Sequence, residues 1–144
     1  MRRILLGVAL AWAGAWAGAW TGAAGAQEAM PDGGGIEDVI RDQLGDFVAR
    51  DVDGAWEHAS PMIQGMFGSP ATFGTMVEQG YPMVWDNRDA TFAELKEEGG
   101  RIVQTVRVMD PDGRVWLIDY QMLEVEGVWR IDGVFVRPAP ELAA

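Results

Sequence analysis

Asp119 interrupts the apolar run Trp116-Leu117-Ile118-Asp119-Tyr120, and a carboxylate in mid-strand is the residue of this chain best suited to proton transfer. Turned into an apolar interior, its pKa rises and it becomes a general acid or base. Turned outward, it is one half of an ion pair with an Arg on a neighbouring strand, with Arg107 and Arg130 in reach. The chain also has two tyrosines, Tyr81 and Tyr120, as hydroxyl donors. Tyr81, Met83, Trp85, Trp116 and Tyr120 have the chemistry to line an apolar pocket, with Met62, Met66 and Met76 as adaptable walls. The same residues would make an ordinary core.

His58 is the only histidine, set in Trp56-Glu57-His58-Ala59-Ser60. With no second His and no Cys, a zinc site would have to rest on carboxylates, so His58 reads as a helix-end residue before it reads as a general base. Asp51-Val52-Asp53-Gly54 has the opening of a calcium loop, but position twelve, where a Glu must close the loop, is Met62. The tetrapeptide is a turn and a helix cap. The candidate pocket set is therefore His58, Tyr81, Trp85, Trp116, Asp119 and Tyr120, with no metal and no cofactor implied.

Elements that would position this set follow from the spacing of apolar residues. From Ile36 to Arg50 the residues Ile36, Val39, Ile40, Leu44, Phe47 and Val48 recur at helical steps, with acids on the opposite face. Glu37 and Asp38 fall in the expected first turn and Arg50 near the last, which suits the helix dipole. Asp53 can cap a short helix that turns Val52, Ala55, Trp56 and Ala59 inward. Ser60-Pro61 and Ser69-Pro70 each place a hydroxyl cap ahead of a Pro at the first helical position, predicting helices over 61–67 and 70–79 ended by Gly68 and Gly80. Tyr81 to Trp85 reads as an extended connection, because Pro82 pushes Tyr81 off helical angles.

Past Asp86 the period becomes that of strands. Residues 89–97, 101–109, 114–124 and 128–136 are four candidates, separated by Glu98-Gly99-Gly100, Asp110-Pro111-Asp112-Gly113 and Val125-Glu126-Gly127. Such short, turn-forming links join antiparallel neighbours. Helices first and a meander second make an α+β domain, with amino-terminal helices packed on a curved four-stranded antiparallel sheet. Both faces of the third and fourth strands are apolar, which predicts a cover over the outer face, such as a second copy of the chain in a homodimer through the sheet.

The amino terminus supplies an address. Arg2-Arg3, an apolar run from Ile4 and Ala24-Gly25-Ala26 before Gln27 have the layout of a cleavable secretory signal over residues 1–26. The expected location is periplasmic or extracellular. An uncleaved amino-terminal membrane anchor is the alternative, weakened by the Ala- and Gly-rich composition of the run. A flexible leader over 27–35, a single domain over 36–138 and a tail over 139–144 complete the expected organisation, with no stable membrane anchor after cleavage. The chain has 144 residues, a formal net charge of −11 and no cysteine. That charge disfavours nucleic acid and anionic lipid as partners, and the core must hold without disulfides.

Helices followed by a curved meander ending in Gly127-Val128-Trp129-Arg130-Ile131-Asp132-Gly133-Val134 resemble the nuclear-transport-factor-like superfamily, also called ketosteroid-isomerase-like or SnoaL-like. Within it the chain is most similar to an uncharacterised bacterial family, on Ile40-Arg41-Asp42-Gln43-Leu44, Ala59-Ser60-Pro61, Phe67-Gly68-Ser69-Pro70 through Gly80-Tyr81, and Trp129-Arg130-Ile131. The resemblance implies a cone of helices and sheet whose mouth can hold a small apolar ligand. It also implies, for isomerases of this kind, a donor Tyr on the first helix, and residues 36–50 contain no Tyr, Ser or Thr. The expectation is a non-enzymatic ligand-binding or assembly module, the alternative an isomerase, hydratase or cyclase using Asp119 and a Tyr.

Overall fold

The structure, a computed structural model, describes residues 33–140. The expected signal over 1–26 lies outside the described residues, as do 27–32 of the expected leader and 141–144 of the tail. Among the described residues five helices precede a meander: α1 (Gly33–Ala49), α2 (Val52–Glu57), α3 (Pro61–Phe67), α4 (Pro70–Gly80) and α5 (Pro82–Trp85), then β1 (Arg88–Glu98), β2 (Arg101–Met109), β3 (Val115–Val125) and β4 (Val128–Pro138).

Helix α1 buries Ile36, Ile40, Leu44 and Phe47, the stripe that its spacing dictates. It begins at Gly33, three residues ahead of the expected start. Gly35 explains part of this extension: a Cβ there would lie 3.2 Å from Cδ1 of Trp129, so the missing side chain lets the helix approach β4. The earlier start moves Glu37 and Asp38 beyond the first turn, where both pair with Arg41, at 3.6 Å and 3.3 Å. At the other end Arg50 takes a positive φ of 64° and donates from Nη1 to the carbonyl of Phe47 at 2.9 Å, satisfying one of the orphan acceptors of the last turn.

Asp51, and not Asp53, caps α2, because its Oδ1 accepts from the Gly54 amide at 3.0 Å. Ser60 and Ser69 cap α3 and α4 as their Ser-Pro pairs require, accepting from the amides of Ile63 and Thr72. Tyr81 to Trp85 departs from expectation. Tyr81 does avoid helical angles, at φ −136° and ψ 66°, but Pro82 then serves as the first residue of the helical turn α5. The same missing N–H that bars Pro from a helix interior admits it at a start.

The sheet is antiparallel in the order β1-β2-β3-β4, curved and unclosed. Its outer hairpins turn through pairs of positive φ, Gly99 with Gly100 and Glu126 with Gly127, the geometry that matches strand twist. The central hairpin is held by Asp110, whose Oδ1 accepts from the amides of Asp112 and Arg114, both at 2.9 Å. Two extra residues in β1, one between Arg88 and Thr91 and one between Phe92 and Leu95, and another in β4 at Asp132, bulge the sheet and bend it. The amide nitrogen of Gln104 meets the carbonyls of Ala93 and Glu94 at the bulge between Phe92 and Leu95.

Alternation then gives the sheet an inner and an outer face, although Val103 and Thr105 of β2 are buried on the outer one. Ile118, Tyr120 and Met122 of β3, Val106 and Val108 of β2 and Ile131 of β4 are buried toward the helices and form the core with α1. Val115, Leu117, Asp119, Gln121 and Leu123 lie on the outer face. The free edge of β4 is covered where Ser60 donates to the carbonyl of Ile131 and Ile131 donates to that of His58, both at 2.8 Å. Among the described residues, no helix is long and apolar enough to cross a membrane.

Candidate functional site

Between α3, α4 and the inner face of the sheet lies a cavity of about 340 Å³. That volume is at the small end of the range for ligand pockets. Two aromatic rings stiffen one wall: Phe67 meets Phe73 edge-on at 5.9 Å, and Phe73 is backed in turn by Trp56 at 5.6 Å and Phe47 at 5.9 Å. Met66 and Met76 supply a softer wall, and Met66 is 63 % exposed, so the cavity opens to solvent there. Ile131 and Val134 of β4 close the floor beside Tyr120. Not one of the lining residues carries a charge.

Tyr81 and Tyr120 are the polar exceptions, and Tyr120 is the buried one. The side chain of Tyr120 is fully buried, and its hydroxyl has no hydrogen-bond partner among the described residues. Burial pushes the phenol pKa well above the ordinary tyrosine range, so the group is a neutral donor. A buried donor left unpaired costs about 1–3 kcal/mol, and folded proteins leave few of them. Its cross-strand neighbours on the inner face are Gln104 and Val134. The amide nitrogen of Gln104 is engaged by backbone carbonyls, that of Thr105 at 2.9 Å among them.

Of the residues singled out from the sequence, Tyr81 and Tyr120 line this cavity, together with Met66 and Met76. The others go elsewhere. Asp119 lies on the outer face, where Arg137 donates from Nε to Oδ2 at 2.9 Å and from Nη2 to Oδ1 at 3.1 Å, and Thr105 donates to Oδ1 at 2.7 Å. The guanidinium of Arg137 holds the carboxyl below its usual value, with Thr105 adding to the effect. This carboxylate is an anchored anion, and the pairing of Asp119 with a tyrosine inside the cavity is not made. The partner is also neither Arg107 nor Arg130: Asp119 faces Phe135 across the strands, and Arg137 is its diagonal neighbour.

Trp116 is tied to the central hairpin, its indole N–H donating to Oδ2 of Asp110 at 2.9 Å. That bond, with the two turn amides, holds the Asp110 carboxyl below the ordinary range. Trp85 stacks under Arg50, whose guanidinium sits 4.4 Å from the ring centre and also reaches Asp86. His58 ends α2 and lies 3.8 Å from Asp46, whose carboxyl is raised by burial. Met62 is exposed and Met83 buried in the core. Among the described residues no three His, Asp or Glu side chains gather closely enough to hold a metal ion.

Among the lining residues not singled out for a pocket from the sequence are Phe67, Phe73, Val77, Ile131 and Val134. Each carries an ordinary core signature, and only the way the helices diverge from the sheet leaves space beside them. The match to known families covers this whole region, since the domain of unknown function DUF4864 aligns with residues 29–144. The chain belongs to the DUF4864 family. No curated protein and no solved structure matches the chain. The DUF4864 match spans all five helices, all four strands and every residue of the cavity, so the site belongs to the family domain and not to an appendage.

Proposed function

We propose that this chain is a non-enzymatic module that binds a small apolar ligand in the cavity between α3, α4 and the sheet. The fold in this reading is the nuclear-transport-factor-like cone, and the protein acts after export, in the periplasm or outside the cell. The observation that carries the binding reading is an uncharged cavity, apolar except for its two tyrosines, with an exposed methionine at its opening. Asp119 supports the non-enzymatic form, because the strongest acid candidate of the chain faces away from the cavity and is neutralised by Arg137.

Pentylbenzene is a suitable probe, being apolar, uncharged and of about the right volume. Titrated calorimetrically into the protein, it should bind at one saturable site. Met76→Trp, which puts an indole on the soft wall, should abolish that binding without lowering the unfolding midpoint. Absence of a saturable site in the wild type would overturn the reading.

A second reading, self-association through the outer face, is favoured by Leu123, Val128 and Phe135, all exposed there. Phe135 is the most exposed of them, at 56 %. Sedimentation equilibrium tests it directly: a dimer that Phe135→Glu converts to monomer supports it, and a wild-type monomer at all concentrations removes it.

A further inference from the structure

We propose that Tyr120 is the polar anchor of the cavity, and that the ligand is a neutral, mainly apolar molecule bearing one carbonyl group, which accepts a hydrogen bond from the phenol. The inference rests on the binding reading above and names the ligand class of that same site. Tyr120 joins two observations: it lines the cavity, and its buried hydroxyl has no partner. Buried donors are almost always satisfied, so an unpaired donor on a residue of the cavity wall asks for an acceptor, and a ligand seated beside it can bring one.

The surrounding residues narrow the class. A carboxylate or ammonium would be buried without a counter-charge, because the lining holds no charged side chain. An alcohol would accept from Tyr120 but bring a proton of its own, and apart from the two tyrosines the lining offers no polar side chain to take it. A carbonyl accepts and donates nothing, so it pairs with the phenol and leaves no proton over. Size sets a further bound, since a volume of 340 Å³ corresponds to roughly eleven non-hydrogen atoms at the share of one water each. The hydroxyl is closed to water, so the carbonyl reaches it as wall side chains turn, and Met66 and Met76 are the flexible members of that wall.

Butyrophenone and pentylbenzene have the same number of non-hydrogen atoms and differ in the carbonyl. Calorimetric titration of both into wild type and Tyr120→Phe separates the ideas. The expected result is butyrophenone binding wild type about three- to tenfold more tightly than pentylbenzene, with Tyr120→Phe erasing that margin. Equal affinities in wild type, unchanged by Tyr120→Phe, would overturn the anchor and leave the apolar binding reading standing. Failure of both probes to bind wild type would overturn both. A second measurement needs no variant: the infrared carbonyl stretch of bound butyrophenone should fall below its value in hexane, and an unshifted band would overturn the anchor.

Discussion

Asp119 and Tyr120 are neighbours in the chain and opposites in their surroundings. Asp119 looks to the outer face of the sheet, partly open to water, and its two oxygens receive three hydrogen bonds from Arg137 and Thr105. Tyr120 looks inward, fully buried, and its hydroxyl receives and gives none. The strand's alternation has put the charged group where partners and solvent satisfy it, and the neutral group where nothing does. The difference teaches that hydrogen-bond satisfaction, and not the strength of the acid, separates the structural residue from the candidate binding residue. With three of its roughly four acceptor sites filled, this carboxylate keeps little capacity for a ligand.

The largest test of this contrast concerns the two faces themselves. Ile118 is fully buried on the inner face, while Leu117 beside it is half-buried on the outer. Ile118→Ala should cost about 2–5 kcal/mol in urea unfolding, from lost transfer energy and the void left behind. Leu117→Ala should cost less than about half as much, since water already reaches that site. Equal losses would mean that something covers the outer face in solution, and would move the case toward self-association.

A smaller effect of opposite sign is expected at Tyr120. Removing the unpaired hydroxyl with Tyr120→Phe keeps the ring and deletes an unsatisfied group, so the variant should be more stable by about 1 kcal/mol. Its pH dependence follows from the raised phenol pKa. Stability tied to the neutral phenol is complete below the unfolded value of 10.0 and is lost as pH rises beyond it, because the unfolded chain can ionise where the folded one cannot. Alkaline urea titrations should therefore show the wild type falling away from Tyr120→Phe above pH 10, and parallel curves there would mean the phenol is not sealed.

Much of the frame was legible because local chemistry agreed with tertiary need. Ser60-Pro61 and Ser69-Pro70 start helices, and Asp110-Pro111-Asp112-Gly113 turns between β2 and β3, because each satisfies backbone groups within a few residues. Gly33 to Gly35 read as a leader because glycine favours flexibility, and the packing of Gly35 on Trp129, almost a hundred positions away, is not a local fact. The partner of Asp119 was missed for a related reason, since the bulge at Asp132 shifts the register that decides which Arg falls beside it. Asp119 itself carried a usable signal. It shares parity with Val115 and Leu117 and opposes Ile118 and Tyr120, so either the carboxylate or the phenol had to leave the cavity. The apolar character of both faces hid which one.

The smallest expected effect is at the outer pair, and its pH course is what distinguishes it. Arg137 is about half exposed and Asp119 less so, which makes theirs a partly solvated ion pair, and such pairs contribute less than about 1 kcal/mol. Asp119→Asn should therefore cost little at neutral pH and leave pentylbenzene binding unchanged, because the cavity lies on the other face. The folded-state pKa of Asp119 is depressed, chiefly by Arg137, so what the pair contributes is complete above the unfolded value of 3.8 and disappears as pH falls through the lower folded one. The gap between wild type and Asp119→Asn should stay constant from neutral pH down to about pH 4 and close below it. Asp110, also depressed, continues to destabilise both proteins in acid, so the two curves should converge without becoming flat. A gap that persists in acid would mean that Asp119 acts through packing and not through its charge. In that event, contrasting a satisfied anion on one face with an unsatisfied phenol on the other would lose its physical basis.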